Sequence, residues 1–501
     1  MLQHDHWDET LLAEVSPAGW VNPVPAAKYD LVVIGAGTGG LVTAAGAAGI
    51  GAKVALIERH LMGGDCLNVG CVPSKGVISA ARSWHAARHA AAKYAGPGLD
   101  PQAPGDFAAM MQRMRRIRAE MSPIDGAARF RDLGIDVFLG QGAFADRESI
   151  TVGGATLRFR RAVIATGARA AAPPIPGLRT VPYLTNETIF DLTTLPARLA
   201  IIGAGPIGCE LAQAFARFGS QVTLVDKGAR VLPRDDADAA AIVQQALLDD
   251  GVTYLSGAAI TEVRQESDGI HVHTTGSRGV QVSVGDALLV AIGRAPNVEG
   301  LELERGGVTY TGKGVTVNDQ LRTSNARVYA VGDICSPLQF THAADFQARM
   351  VIRNALFFGR GKLSTLVTPW ATYTAPELAQ VGHTAASAAQ AGVAVQTFTV
   401  PLHDVDRARL DGETAGFCRV HVAQGSDTIV GATIVAPNAG DIISEVTLAM
   451  THGLGLGALA TTMHPYPTQG EMLRKVGDAY NRTRLTPFVK KLFVRYLSML
   501  R

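Results

Sequence analysis

The chain contains two copies of one dinucleotide-binding pattern, and this repeat limits its fold more than any other feature. Each copy has a buried strand, a glycine turn, a helix of small residues and a second strand that ends in an acid. The glycines are Gly35, Gly37 and Gly40 in the first copy and Gly203, Gly205 and Gly208 in the second. The acids, Glu58 and Asp226, each follow the first glycine of their copy by 23 residues. One glycine pattern could arise by accident, but two complete units in register predict two Rossmann-like domains.

Each residue type in this unit has a physical task. The first glycine makes the tight turn, the second admits a pyrophosphate, and the third lets the helix meet the strand. The acid accepts hydrogen bonds from ribose hydroxyls. We therefore predict an α/β chain with two dinucleotide sites, whose 501 residues are too many for a single domain.

A cysteine pair follows the first of these units. Cys66 and Cys71 are five positions apart, glycines flank both, and Lys75 lies one helical turn after the second. A helix N-terminus and a nearby lysine both stabilise a thiolate. This pattern predicts a dithiol that cycles between its oxidised and reduced forms. The alternatives are a structural disulfide and two unrelated buried thiols.

The two dinucleotide sites and the dithiol together predict electron transfer. The simplest interpretation places a flavin at one site and a nicotinamide at the other, with electrons passing to sulfur. The formal net charge is only +2, so the composition gives no reason to expect a nucleic-acid partner. We expect no resident metal ion.

With these motifs in view, residues 28–482 resemble the flavoprotein disulfide reductases, which include lipoamide dehydrogenase, glutathione reductase and mercuric reductase. The resemblance implies FAD, a head-to-tail homodimer and an α+β C-terminal dimerisation domain. It also implies that Cys71 contacts the flavin and that Cys66 faces the substrate. The expected segments are an N-terminal extension (1–27), an FAD-binding domain (28–180), an NAD(P)-binding domain (181–297), a central segment (298–365), an interface domain (366–482) and a basic tail (483–501).

The resemblance also assigns the cofactor-binding residues. We expect the FAD contacts at Gly35, Gly37, Gly40, Glu58, Lys75, Gly142, Thr166, Gly167 and Asp333. An acid just after a buried strand, such as Asp333, can bond a polyol such as the ribityl chain of the flavin. The expected nicotinamide contacts are Gly203, Gly205, Gly208, Asp226 and Gly293. Because Asp226 would accept ribose hydroxyls and repel a 2′-phosphate, we predict NADH in preference to NADPH.

The acid–base position departs from the pattern of lipoamide and glutathione reductases. Those enzymes have a histidine five residues before a glutamate, and here that register places Tyr466 before Glu471, with His464 two residues away. A histidine exchanges a proton at neutral pH far better than a tyrosine does. Mercuric reductases resemble this chain here, and they have a second tyrosine in a segment that matches Tyr183. Two tyrosines beside a thiolate suit a soft metal ion better than a proton shuttle.

The predicted function is therefore a mercuric reductase-like one, with Hg(II) or a related soft electrophile as the acceptor. The chain departs from mercuric reductases in having no cysteine after Cys418 and no N-terminal metal-binding domain. The main alternative is dihydrolipoamide dehydrogenase activity with His464 as the acid–base group. A third hypothesis, of another class, is a non-catalytic flavoprotein that senses redox state.

The two ends of the chain give expectations about the cellular compartment and about membrane contact. The N-terminus has no signal peptide and no apolar run is long enough to span a membrane, so we expect a cytoplasmic protein. The tail from Thr486 predicts a basic amphipathic helix. We expect its apolar face to pack against the protein, with docking on a membrane surface as the alternative. The residues of that face are Phe488, Val489, Leu492, Phe493, Tyr496, Leu497 and Leu500.

Overall fold

The computed structural model describes residues 5–94, 105–277 and 279–501. The helices are α1 (His6–Val15), α2 (Thr38–Gly49), α3 (Gly64–Asn68), α4 (Cys71–Tyr94), α5 (Phe107–Met121), α6 (Ala127–Asp132), α7 (Pro206–Phe218), α8 (Ala237–Asp249), α9 (Thr341–Leu356), α10 (Ala385–Gln390), α11 (Asp406–Asp411), α12 (Ala439–Thr451), α13 (Leu456–Thr461), α14 (Glu471–Arg484) and α15 (Pro487–Met499).

The strands follow the same chain order. They are β1 (Tyr29–Ile34), β2 (Val54–Glu58), β3 (Asp136–Leu139), β4 (Ala143–Asp146), β5 (Ser149–Val152), β6 (Ala155–Ile164), β7 (Ala168–Ala170), β8 (Arg198–Ile202), β9 (Gln221–Val225), β10 (Thr253–Leu255), β11 (Ala259–Glu266), β12 (Gly269–Gly276), β13 (Gly279–Gly285), β14 (Ala287–Val290), β15 (Arg294–Pro296), β16 (Tyr310–Thr311), β17 (Gly314–Val315), β18 (Val328–Ala330), β19 (Pro369–Thr372), β20 (Glu377–Gly382), β21 (Val395–Pro401), β22 (Phe417–Ala423) and β23 (Ile429–Ala436).

The first sheet has the strand order β3-β2-β1-β6-β5-β4, and β18 pairs with β6. Its parallel half, β3-β2-β1-β6-β18, contains the first dinucleotide unit, with β1 beside β2 and β6. The strands β1 and β2 are almost entirely apolar because both faces of this sheet are covered, as is usual for parallel sheets. β18 returns to this sheet from residues 328–330, so the segment after the second unit completes the first domain.

The second sheet contains the second dinucleotide unit, whose strands and helix follow in the same order as in the first. Its strands β10-β9-β8-β14 are parallel, and α7 follows β8 as α2 follows β1. Between β10 and β14, the strands β11, β12 and β13 form an antiparallel sheet. This sheet agrees with the alternation of apolar and polar residues over 252–290, which is typical of a β-meander. The prediction of two Rossmann-like domains is therefore confirmed.

The third sheet is antiparallel and has the order β19-β20-β23-β22-β21. The helices α12, α13 and α14 cover one face and share an apolar core with the sheet. This is the α+β domain that the resemblance implied at the C-terminal end of the chain.

The predicted N-terminal extension is packed against the first domain from Asp5 onward. Leu11 and Val15 of α1 are fully buried, and Asp8 forms a buried ion pair of 2.7 Å with Arg118 of α5. Further along, the Asn22 side chain exchanges two hydrogen bonds with Leu139 on the edge strand β3. Residues 5–27 therefore hold helix α5 and cover a sheet edge, whereas Met1–His4 lie outside the described residues.

The C-terminal tail forms the predicted helix, α15, but the predicted packing is not observed. Thr486 caps the helix and Pro487 begins it, so the chain starts a new helix after α14 ends at Arg484. None of the residues of α15 is buried. The expectation that its apolar face packs against the protein is therefore wrong within one chain. Within the described ranges, no helix is both long enough and apolar enough to cross a bilayer.

Candidate active site

The two glycine turns have the same geometry. Gly35 and Gly203 have φ values of +100° and +109°, and an added Cβ would lie 2.5 and 2.6 Å from the carbonyl oxygens of Ala165 and Ala291. The third glycines, Gly40 and Gly208, leave even less room, because a Cβ would fall 1.8 Å from the oxygen of the first glycine. Both turns therefore require glycine at these positions.

The middle glycines, Gly37 and Gly205, are the N-caps of α2 and α7. An added Cβ at Gly205 would meet no protein atom within 4 Å, and one at Gly37 would meet only the Cα of Gly64, 3.7 Å away. Neither glycine is required by the packing of the protein itself. Each leaves the first turn of its helix open to an anion, which the unsatisfied backbone N–H groups there favour.

The two acids are held in equivalent ways. Glu58 accepts hydrogen bonds from the backbone N–H groups of Ala36 and His60, at 2.7 and 2.8 Å. Asp226 accepts them from Ala204 and Gly228, at 2.7 and 2.6 Å. Burial raises the pKa of Glu58, while these two donors oppose the shift. Both carboxylates are thus fixed against the glycine turns, where a ribose would lie.

A small cavity of about 40 Å³ opens beside the first acid. Gly35, Glu58, Gly142 and Thr166 line it, together with Asn297. An added Cβ at Gly142 would approach Ile57 to 3.1 Å, so a side chain here would press on the wall of the cavity. An acid that can bind ribose, a glycine-lined wall and a free helix N-terminus fit the adenosine and pyrophosphate parts of FAD.

Gly167 and Gly293 lie at the junction between the two dinucleotide domains. The backbone of Asn297 donates a hydrogen bond to Gly167, and its side chain donates one to Thr166. Gly293 has a φ of +71° and precedes β15, which pairs with β7. These contacts join the end of β6 to the segment that returns from the second domain.

Asp333 reaches the dithiol loop through one arginine. Arg294 lies 3.2 Å from Asp333 and 3.3 Å from Asp65, the residue before Cys66. Asn186 also donates to Asp65, at 3.1 Å. Burial raises the pKa of Asp333, and Arg294 opposes that shift. The acid expected at the ribityl chain and the dithiol segment are therefore held by a common cation.

The structure brings the two predicted cysteines together as free thiols. Cys66 is in α3 and Cys71 begins α4, so both lie near helix N-termini. A hydrogen bond from Cys66 lowers the pKa of Cys71 to about 6, although burial opposes it, and Thr341 and Lys75 add to the lowering. The pKa of Cys66 is raised by the same hydrogen bond and by burial. Cys71 is therefore the thiolate of the pair and Cys66 keeps the proton.

Lys75 belongs to an ion pair that the sequence did not reveal. Its Nζ lies 2.9 Å from the buried carboxylate of Glu210 and 4.5 Å from the centre of the Tyr373 ring. Glu210 also accepts the backbone N–H of Tyr373. Burial alone would lower the pKa of Lys75, but Glu210 reverses the effect and raises it. Lys75 therefore stays charged beside Cys71.

Thr341 is a second contact that sequence reasoning missed. Its hydroxyl lies 3.3 Å from the sulfur of Cys71, and it is the first residue of α9. The signal was weak in both cases, because Glu210 and Thr341 lie 135 and 270 residues from their partners. A carboxylate in the buried helix directly after the second glycine turn was the only available clue to Glu210.

The predicted acid–base residues lie in the third domain. Tyr466 is exposed and donates to Asp406, and that carboxylate raises the pKa of Tyr466. His464 is instead held by Glu445 at 3.1 Å and by the carbonyl of Thr462. Within one chain, none of the described hydrogen bonds joins Tyr466 or His464 to the dithiol.

Glu471 and Tyr183 are the remaining predicted site residues. Glu471 begins α14 and pairs with Arg474 at 2.6 Å, and its other carboxylate oxygen is buried without a described hydrogen-bond partner. Tyr183 is half-buried against the apolar cluster of the second domain. The structure thus gathers the cysteines, Lys75 and Asp333, whereas none of the described hydrogen bonds or ion pairs joins Tyr183, Tyr466 or Glu471 to the cysteines within one chain.

Two dinucleotide domains that meet at a polarised dithiol define a nicotinamide-dependent dithiol oxidoreductase. The family described as pyridine nucleotide-disulphide oxidoreductase matches residues 29–348, and its dimerisation domain matches residues 368–476. The chain belongs to this family. It is therefore an FAD-containing oxidoreductase that uses a redox-active disulfide and a nicotinamide cofactor, and the dimerisation domain supports a homodimer.

The relatives are named for different activities. A mercuric reductase from Streptomyces lividans is 36% identical over 463 residues, which cover 90% of this chain and 96% of that protein. A dihydrolipoyl dehydrogenase from Thermus scotoductus is 33% identical over 466 residues, covering 91% and 98%. The structure of the HOCl-induced flavoprotein disulfide reductase RclA from Escherichia coli has a TM-score of 0.80 at 29% identity, covering 90% of this chain and 99% of that one. The family is therefore established, and the acceptor is a separate question.

Proposed function

We propose that the enzyme oxidises NADH and delivers the electrons through Cys66 and Cys71 to a soft metal ion, with Hg(II) as the reference substrate. One observation carries this proposal: the acid–base register holds the exposed Tyr466, while His464 is bound to Glu445 and Thr462. Such a site has a thiolate to bind a soft ion, and the acid–base register supplies a phenol where an imidazole would exchange thiol protons more readily.

In this proposal the residues of the chain have separate roles in binding the metal ion and positioning the dithiol. Cys71, with a pKa of about 6, is a thiolate at neutral pH, and Cys66 loses its proton when a metal ion binds. Asp65, held by Arg294 and Asn186, fixes the loop that carries the cysteines. FAD supplies the hydride acceptor. Overall, NADH and Hg(II) would give NAD⁺, a proton and elemental mercury.

Two named relatives support a metal ion as acceptor. The Streptomyces lividans protein is called a mercuric reductase. RclA has been solved as complexes with Cu(II), including one of a cysteine-to-serine mutant. Both align with this chain over nearly their whole length, and the proposal extends their metal chemistry to its dithiol.

The opposite subunit of the homodimer completes the site in this proposal. Tyr466 and Glu471 lie in the dimerisation domain, and one oxygen of Glu471 is buried without a described partner. We place both residues from one subunit beside the dithiol of the other.

The nicotinamide donor in this proposal is NADH. Asp226 presents its carboxylate at the turn of the second domain, where a 2′-phosphate would be repelled. Arg230, which could attract that phosphate, donates instead to the carbonyls of Leu232, Pro233 and Asp235. We also place the reaction in the cytoplasm, where NADH is supplied.

A side-by-side assay tests the acceptor. NADH oxidation is measured with Hg(II)–thiol complexes, lipoamide, glutathione disulfide and a quinone, for the parent, Tyr466→Phe and His464→Ala. We expect the Hg(II) complex to be the best acceptor, with turnover about tenfold or more lower in Tyr466→Phe and unchanged in His464→Ala. Turnover of none of the four would contradict the proposal and favour a redox-sensing role.

Dihydrolipoamide dehydrogenase activity is the second candidate, and the His464–Glu445 pair is the observation that favours it. A histidine paired with a glutamate can act as a base toward a dithiol. This candidate predicts strong lipoamide turnover that is lost in His464→Ala and kept in Tyr466→Phe. That result would make lipoamide, and not Hg(II), the acceptor of this enzyme.

A further inference from the structure

We propose that helix α15 docks the enzyme on an anionic membrane surface. The proposal concerns Pro487–Met499 and the few residues beside it, which play no part in the dithiol site. Three observations carry it: an apolar face that the described residues of its own chain leave exposed, a polar face that is basic, and a position beyond the dimerisation domain.

The apolar face of α15 is large and exposed. Phe488, Leu492, Tyr496 and Leu500 follow one another at intervals of four residues, and Val489, Phe493 and Leu497 form the neighbouring row. Phe488 is 75% exposed, Leu492 54% and Leu500 67%. A stable monomeric surface rarely leaves so many large apolar side chains in contact with water.

The charge around this face has one sign. The chain has six basic residues and no acidic residue after Asp478. They are Arg482, Arg484, Lys490, Lys491, Arg495 and Arg501. Within α15, the basic residues lie on the side opposite the apolar rows. Phenylalanine and leucine on one face and lysine and arginine on the other are characteristic of helices that lie in the headgroup region of a bilayer.

A second copy of the chain fits this face less well than a membrane does. The match to the dimerisation domain ends at residue 476, eleven positions before α15 begins. The third domain also has its own exposed apolar residues for a partner subunit, including Leu448, Leu454 and Met463. A protein partner would need acidic groups to pair with the basic residues, whereas anionic lipid headgroups already carry the complementary negative charge.

Vesicle sedimentation tests the proposal with the full-length, FAD-loaded enzyme. The vesicles contain phosphatidylcholine with about 30 mol % phosphatidylserine, or phosphatidylcholine alone. We expect binding to the anionic vesicles, with affinity at least about tenfold lower for the neutral ones and a marked loss at high salt. No binding to the anionic vesicles, or equal binding to both, would overturn the proposal.

Two sets of variants separate the apolar face from the charge. Leu492→Asn with Phe493→Asn should weaken binding about a hundredfold, because both side chains would be buried in the bilayer. The matched control, Val494→Asn on the polar side, should stay within about threefold of the parent. Replacing Lys490, Lys491 and Arg495 by glutamine should weaken binding about a hundredfold. Equal effects of the paired variant and its control would contradict the assigned face.

Light scattering and NADH oxidation on the same samples decide between a membrane and a second subunit. The Leu492→Asn, Phe493→Asn variant and a chain that ends at Leu485 should both remain dimers with parental turnover. Dissociation of either into monomers would show that α15 belongs to the subunit interface and would overturn the proposal.

Discussion

At the scale of single residues, the pKa of Cys71 is lowered by the groups around its sulfur. Cys66 and Thr341 hydrogen-bond it, and Lys75 adds a positive charge that Glu210 keeps in place. Cys71 is also the first residue of α4, so its sulfur lies near a helix N-terminus. Because these contacts come from three separate parts of the chain, the thiolate depends on the fold and not only on the local sequence.

The pH dependence of Cys71 alkylation tests this environment. In the reduced enzyme the rate with iodoacetamide should rise as pH increases through about 6, since the thiolate forms above that pKa. Thr341→Val should move the midpoint upward by about half a unit to one unit, because one hydrogen bond to the thiolate is lost. Ser74→Ala removes a hydroxyl that bonds the carbonyl of Cys71 and serves as the control. A midpoint above about 8 in the parent would refute the assignment.

We expect Asp226 to determine the choice between NADH and NADPH. The ratio of kcat/KM for NADH over NADPH should exceed about ten in the parent, and Asp226→Ala should reduce it at least about tenfold. Arg230→Ala should leave the ratio nearly unchanged, because Arg230 is engaged with its own loop. If the parent prefers NADPH, or if the NADH-to-NADPH ratio of kcat/KM rises in Arg230→Ala, Arg230 binds a 2′-phosphate.

Local geometry that depends on short spacing could be predicted from the sequence. The glycine turns, Glu58, Asp226 and the cysteine pair lie within units of about 25 residues whose geometry the chain itself fixes. Glu210 and Thr341 could not be predicted, because they meet the site only after the second and central segments fold back onto the first domain. Their sequence surroundings are those of ordinary helix residues.

At the scale of elements, α1 shows how an N-terminal segment can support the dithiol. Arg118 of α5 pairs with Asp8 and also donates to the carbonyl of Asn68, in the helix that carries Cys66. The backbone of Met62 donates to Val15 at the end of α1. The sequence indicates only an extension here, although Leu11 and Val15 are spaced to lie on one side of a helix.

Removing the carboxylate of Asp8 should therefore destabilise the first domain. Asp8→Ala would leave Arg118 charged and buried without this carboxylate, which costs about 3–5 kcal/mol. Glu9→Ala, on the exposed side of the same helix, should change the free energy of unfolding by less than about 0.5 kcal/mol. Urea unfolding followed by flavin fluorescence measures both. Equal stability of the two variants would mean that α1 is only loosely attached.

For the C-terminal tail, the sequence predicted the helix correctly but not the surface that the helix contacts. The spacing of its apolar residues correctly predicted a helix, since a period of 3.6 residues is a local property. The surface that covers a helix is set by distant parts of the molecule or by another one. Only the structure shows that α15 is exposed, and this exposure is what favours a membrane over packing against the protein.

At the scale of the whole molecule, the proposed site depends on two subunits. The dithiol and both dinucleotide sites lie in residues 29–348, whereas Tyr466 and Glu471 lie in the dimerisation domain. The sequence predicted this division through the resemblance alone, because no local pattern reports which chain a residue faces.

Mixed dimers test whether the site is shared. Chains with Cys66→Ala and chains with Tyr466→Ala are unfolded and refolded together in equal amounts with FAD. About half of the dimers should be mixed, each with one intact site of two, so activity should rise to about one quarter of the parental value. Each variant alone should have far less. No gain on mixing would place Tyr466 beside the dithiol of its own chain.

The central claim is that electrons from NADH reach the dithiol with Cys71 as the sulfur next to the flavin. Anaerobic titration with NADH, followed by visible absorbance, tests it most directly in the parent, Cys66→Ser and Cys71→Ser. We expect a long-wavelength thiolate–flavin band in the parent after two electrons, the same band in Cys66→Ser before any NADH is added, and no such band in Cys71→Ser at any stage. A band that survives in Cys71→Ser, or that is absent from the parent, would contradict the account.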